Sequence, residues 1–147
     1  MTKKVLILTF ILIFTMACSK ANLYSLKTDL SHEENVEKLI NQLDWENKDS
    51  YKIEIKDKTI TIIFDNNIDY FNANLKPYFV NGVYLLILTN ADDINFENKR
   101  GSFFGIDKKI ANVFLSAQCN KSLDDIKNSE EEFHKLEKFM KNLKVDS

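Results

Sequence analysis

The sequence predicts an α+β fold, an antiparallel β-meander of about five to six strands flanked by an N-terminal and a C-terminal helix. Three observations predict it. A helical-period apolar stripe follows Ser31, a series of short strand-like segments separated by turn residues runs from Tyr51 to Ala117, and a second stripe extends from Ile126 to Leu143.

The first helix opens at Ser31-His32-Glu33-Glu34, which reads as a capping box with Ser31 at the cap and Glu34 reaching back. Val36, Leu39, Ile40 and Leu43 carry it to about Trp45, and Asn47 to Ser50 ends it. Tyr51 to Ile55 alternates apolar and polar, Asp57-Lys58 turns, and Thr59 to Phe64 forms a second strand. After the break at Asp65-Asn66-Asn67, Ile68 to Leu75 is a further strand candidate. Asn81-Gly82 supplies the two left-handed positions of a type I′ turn, so Tyr78 to Tyr84 reads as a hairpin and Leu85 to Leu88 as a central strand. Asn90 to Arg100 reads as a polar loop. Ser102 to Ile106 and Ile110 to Ala117 form one more hairpin around Asp107-Lys108-Lys109. Ile106, Ile110, Val113, Phe114 and Ala117 also fit a helical face, but their β-branched and aromatic content favours strand. Ser122 with Asp125 caps the last helix, whose stripe is Ile126, Phe133, Leu136, Met140 and Leu143, supported by Glu131–Lys135 and Glu137–Lys141 pairs.

The amino terminus has its own logic. Lys3-Lys4 precede an apolar run from Val5 to Met16. That run is too short to cross a hydrocarbon core as a helix, which takes roughly 20 residues, and it fits the apolar region of a secretory signal. Thr15-Met16-Ala17-Cys18, followed by Ser19-Lys20, resembles the lipobox of bacterial prolipoproteins, although Thr15 stands where a leucine is usual. The lysine-, asparagine- and isoleucine-rich body is similar to spirochaete lipoproteins. The resemblance covers only the start of the chain. It implies a signal peptide over 1–17, diacylglyceryl transfer to the Cys18 thiol, cleavage before it, and membrane attachment through acyl chains. A short tether over 18–30 and a single domain over 31–147 complete the expected organisation. Ser19 is not the aspartate that retains some lipoproteins at the inner membrane, which favours the outer membrane or cell surface.

Composition narrows the function. Cleavage before Cys18 removes Lys3 and Lys4, leaving 18 basic against 22 acidic side chains and moving the formal charge from −2 to −4. Arg100 is the sole arginine, so the guanidinium forks that suit phosphates are nearly absent and nucleic acid is not an expected partner. Three glycines and one proline leave no room for a phosphate-cradling loop.

Asn90, Asp92, Asp93, Asn95 and Glu97 concentrate oxygen ligands, but without the glycine and distal glutamate of a calcium hand, so no metal or other cofactor is expected. Lipidation consumes Cys18 and leaves Cys119 alone, and a Cys119–His134 or Cys119–His32 hydrolase lacks any supporting motif. No catalytic residue is expected. The aromatic pairs Tyr70-Phe71, Tyr78-Phe79 and Phe103-Phe104 fall in predicted strands, where neighbours point to opposite faces. These rings are either buried internally or left on one face as a binding surface for a protein partner. The expected role is a membrane-anchored, non-catalytic binding module of the cell envelope. Its alternatives are a structural or assembly accessory and an anchored hydrolase.

Overall fold

The computed structural model describes residues 22–45, 49–70 and 74–144. The expected signal peptide, Cys18, Asn47 and Phe71 lie outside the described residues. The fold class is α+β.

Alternation in the first two strands works as the sequence predicts. β1 (Tyr51–Lys56) and β2 (Thr59–Phe64) pair antiparallel from Tyr51↔Phe64 to Lys56↔Thr59. Their two-residue turn holds Asp57 at φ 54°, a left-handed angle that a short polar side chain tolerates. β3 (Asp93–Asn98) and β4 (Gly101–Asp107) form a second antiparallel pair, with Gly101 at φ 113° just past their turn. The two hairpins join through a parallel β2–β3 contact, in sheet order β1-β2-β3-β4. The described residues therefore form a four-stranded mixed sheet, not an antiparallel meander of five to six strands.

Helices account for the difference. α1 (Glu33–Gln42) buries Val36, Leu39 and Ile40 as expected, though its cap falls on His32 and no side-chain capping bond forms. α2 (Lys76–Leu88) occupies the segment expected as a hairpin and central strand. Pro77 sits in its first turn, where a preset φ helps and the missing N–H costs nothing. Every residue from Asn81 to Leu88 is buried, and a helix apolar on all sides is one enclosed by protein. Because the chain returns through this helix, β3 enters the sheet beside β2 in the same direction. α2 lies so close to the sheet that a Cβ on Gly82 would stand 2.5 Å from Ile106 Cγ2. Gly82 serves close packing, not a turn.

The stretch expected as a polar loop is β3, whose Ile94 and Phe96 point into the core while Asp93, Asn95 and Glu97 share the other face. Ile68, read as opening a strand, is in no strand. The second half of the last expected hairpin is α3 (Lys108–Cys119), begun by the Asp107 carboxylate accepting from Ile110 N–H at 2.7 Å. It buries Ala111 and Leu115 and leaves Ile110 and Val113 50% and 66% exposed. The helix ends on Asn120 at φ 53°.

The expected final helix divides in two. Ser122 and Asp125 form the expected capping box for α4 (Leu123–Lys127), and Ser129 starts α5 (Glu130–Asn142). Ile126, Phe133, Leu136 and Met140 are buried as predicted. Lys135 pairs with Glu131 at 2.8 Å, but Glu137 binds His134 instead of Lys141.

Residues 22–30, read as tether, are bound to the domain. Asn22 donates to Glu130 at 2.7 Å, the Tyr24 hydroxyl donates to the Lys127 carbonyl at 2.8 Å, and Leu30 is buried. A single 3₁₀ turn, Leu23–Leu26, lies among them.

A cavity between the crossover helix and the last helix

α2 presents Lys76, Pro77, Val80, Asn81 and Tyr84 along one face, and α5 presents Glu137, Met140 and Lys141 opposite. Both sets follow helical spacing. The space between them is a cavity of about 480 Å³, closed at its sides by Leu23 and by Gln42, Leu43 and Asp44 at the end of α1. That volume lies within the range of small-molecule sites, roughly 300–1,000 Å³.

Two buried polar side chains, one helical turn apart, distinguish this cavity. Asn81 is 3% exposed and Tyr84 8%. Asn81 Nδ2 donates to the Asp44 carbonyl at 2.9 Å, which turns its Oδ1 the other way. Among the described residues nothing bonds to that Oδ1 or to the Tyr84 hydroxyl, yet no fully enclosed side-chain polar atom lacks a partner. Both atoms therefore open on the cavity they line. Burial, with the Glu137 carboxylate nearby, pushes the Tyr84 hydroxyl far above its ordinary value, so it remains a neutral O–H. A polar atom held in a mostly buried position without a protein partner is satisfied by solvent or ligand.

Around these atoms the cavity carries charge of both signs. Lys76 and Lys141 line it, as do Asp44 and Glu137. Glu137 is engaged by His134 Nδ1 at 2.8 Å, whereas Lys76, Lys141 and Asp44 make no ion pair among the described residues. Leu23, Leu43, Pro77, Val80 and Met140 supply apolar wall.

The aromatic residues singled out in the sequence take another arrangement. Tyr70 stacks on Phe103 at 3.7 Å, Tyr78 meets both edge-on, and Phe96 joins them to Phe104. A register shift at Phe96/Glu97 gives β4 an irregular residue there, and both Phe103 and Phe104 contact Phe96 on the core side. Tyr78 and Phe79 sit on α2, where Tyr78 is buried and Phe79 packs on Phe114. Tyr78-Phe79 and Phe103-Phe104 thus do not straddle a strand as expected, and the sheet face away from the helices carries Lys52, Glu54, Thr61, Ile63, Asn95 and Glu97. A cleft of about 460 Å³ borders Tyr70 and Phe103. Its polar groups are already occupied. Asn98 donates to Asn66 and the Ile68 carbonyl, Tyr78 donates to the Tyr70 hydroxyl, and Arg100 faces Asp69 at 3.6 Å.

Among the described residues the acidic stretch and the Cys119 thiol form no second site. Asp92 pairs with Lys108 at 2.7 Å and Asn90 accepts from Leu30 N–H, so the acidic stretch is dispersed over a strand and its entry. Among the described residues no three His, Cys, Asp or Glu side chains gather as a metal site. Cys119 ends α3, half-buried, its thiol pushed up by burial and by Glu132. That shift disfavours a nucleophilic thiolate. Sequence reasoning misses the cavity because it assigns Asn81 to a turn and Tyr84 to a strand. Pro77, ahead of an apolar run, is the signal for the helix that carries them.

Comparisons with family models, with curated proteins and with solved structures find no match to this chain.

Proposed function

We propose that this protein is a lipoprotein of the bacterial cell envelope, attached to the membrane through Cys18, whose domain is a non-catalytic binding module. Its ligand occupies the α2–α5 cavity. The observation that carries this reading is the pair Asn81 and Tyr84, largely buried and yet each with a polar atom open to that space. A charged start, an apolar run and the Ala17-Cys18 junction support the anchor. The outer membrane or cell surface is the favoured location, on the identity of Ser19.

The binding reading is tested on protein purified from membranes and exchanged into detergent. After incubation with a small-molecule extract of envelopes and gel filtration, mass spectrometry should find a compound retained by the native protein. Val80→Trp, which fills the cavity with an indole, should lose it. Retention of nothing, or equal retention by both proteins, refutes the reading. The anchor is tested separately: the native amino-terminal fragment should be heavier by its acyl groups, and Cys18→Ala should move the protein out of the membrane fraction.

A second reading, an assembly accessory, is favoured by α3. Ile110, Val113 and Ala117 lie on its exposed side, an apolar stripe suited to a protein partner. Val113→Lys abolishing a cross-link to an envelope protein would support that role.

A further inference from the structure

The start of α2 and the end of α1 bring opposite charge to the cavity, Lys76 on the one and Asp44 on the other. At one level stands the first turn of α2, which has Lys76 and no acidic residue, and whose Lys76 N–H donates to Asn74 Oδ1 at 3.0 Å. The dipole of a helix start without an acidic residue favours negative charge, and Lys76 adds to it. At the other level the Asp44 carbonyl is bonded to Asn81, which brings the end of α1 to this point. The last turn of α1 has no basic residue, and among the described residues the Asp44 carboxylate makes no ion pair, so this end attracts positive charge. Lys76 and Asn81 are separated by five helical positions, about 7.5 Å along the axis. That is the span of two to three extended peptide residues at ~3.3–3.6 Å each. At the Asp44 end stands Asn81 Oδ1, an acceptor, and one turn farther along α2 the Tyr84 hydroxyl, a donor and acceptor. Backbone amides offer the matching groups, and Leu43, Val80 and Met140 offer apolar contact for a side chain.

We propose that the cavity takes a short zwitterionic peptide, two or three residues long, with both termini free and an apolar side chain. Its carboxylate lies toward Lys76 and its ammonium toward Asp44. The proposal rests on the reading of this cavity as the ligand site, and adds the ligand's class.

The test uses the full chain in detergent micelles, isotope-labelled for amide NMR, with Ala-Leu-Ala as probe. Three companions are the same tripeptide amidated at its carboxyl end, the same tripeptide acetylated and amidated at its two ends, and octanoate. The free tripeptide should shift amides of residues 42–44 and of the first turns of α2 saturably. Blocking both termini should weaken binding about tenfold or more, since two charged contacts are lost. Tyr84→Phe, which removes only the hydroxyl, should weaken it about three- to tenfold with an unchanged melting temperature. Lys76→Gln should weaken the free acid more than the carboxy-amide. Equal or tighter binding of the blocked peptide, or of octanoate at the same amides, overturns the zwitterion while leaving the cavity as a ligand site. No shift with any of the four overturns the peptide proposal. The cavity reading then stands or falls on the extract experiment with Val80→Trp.

Discussion

Gly82→Ala isolates the packing of α2 on the sheet. The alanine Cβ would stand 2.5 Å from Ile106 Cγ2, against an ordinary carbon–carbon contact of about 3.5–4.0 Å. Roughly 1 Å must therefore be found. Ile106 cannot supply it cheaply: it is 3% exposed, branched at Cβ, and on a strand registered to Ile94. Overpacking of this kind costs about 1–3 kcal/mol. Alanine is at the same time better than glycine inside a helix by about 1 kcal/mol. The net loss is then up to about 2 kcal/mol, a fall in melting temperature on the order of 4–8 °C for a domain of this size. In an Ile106→Ala background the clashing methyl is gone, and the remaining Cβ lies 3.9 Å away, an ordinary contact. There the same substitution should stabilise by up to about 1 kcal/mol, the helix preference alone. Thermal melts of the four proteins measure the reversal of sign. A type I′ turn at Asn81-Gly82 would instead make Gly82→Ala unfavourable in both backgrounds. A raised midpoint in the native background would refute the close approach.

Val113→Lys should leave the melting temperature within the small range of surface changes, about ±0.5 kcal/mol, while Leu115→Ala two positions on should cost about 2–5 kcal/mol. This contrast follows from a helix with Val113 outward and Leu115 fully buried, and thermal melts check it. Ser122→Ala should destabilise by roughly 1 kcal/mol, because the hydroxyl accepts from Asp125 N–H in a formed capping box; denaturant titration reads it. The His134 imidazole should titrate above its ordinary 6.5, held up first by its hydrogen bond to Glu137 and also by Glu130. Its contribution to stability is complete below 6.5 and is lost as pH rises through the folded-state value. The midpoint should therefore drift down from about pH 6.5 upward. Glu137→Gln should flatten that drift and lower the imidazole midpoint in an NMR titration.

Legibility depends on the competition between local and global signals. α1 and α5 are readable because one face is apolar and the other charged, so the 3.6 period survives in Val36-Leu39-Ile40 and Phe133-Leu136-Met140. The β1–β2 hairpin is readable for the same reason at period two. α2 is not. It is apolar on nearly every side, so it carries no period, and Asn81-Gly82 imitates a turn signal that only tertiary packing overrules. β3 is hidden because Asp93, Asn95 and Glu97 face outward and make the segment look like loop, although Ile94 and Phe96 alternate with them. α3 is hidden because its Ile110, Val113 and Phe114 have strand-like chemistry, and the helix points two of them at solvent. The cavity shares the illegibility of α2. Its charged residues come from separate helices, and nothing local connects Asp44 with Lys76 or Lys141.

The segment 22–30 governs how the protein would sit on a membrane. It is stitched to α4 and α5 through Asn22, Tyr24 and Lys27, so the part bound to the domain reaches back to Asn22. From Cys18 to Asn22 is four residue steps, which span at most about 14 Å even when fully stretched. A lipid on Cys18 would not let the domain swing as a ball on a string. It would moor the α4–α5 junction against the headgroups and give the domain a fixed attitude. Leu23, the next residue along, is part of the cavity wall. The mouth of the site would then lie near the bilayer plane, and a ligand would reach it by a two-dimensional search along the membrane surface, not from open solution.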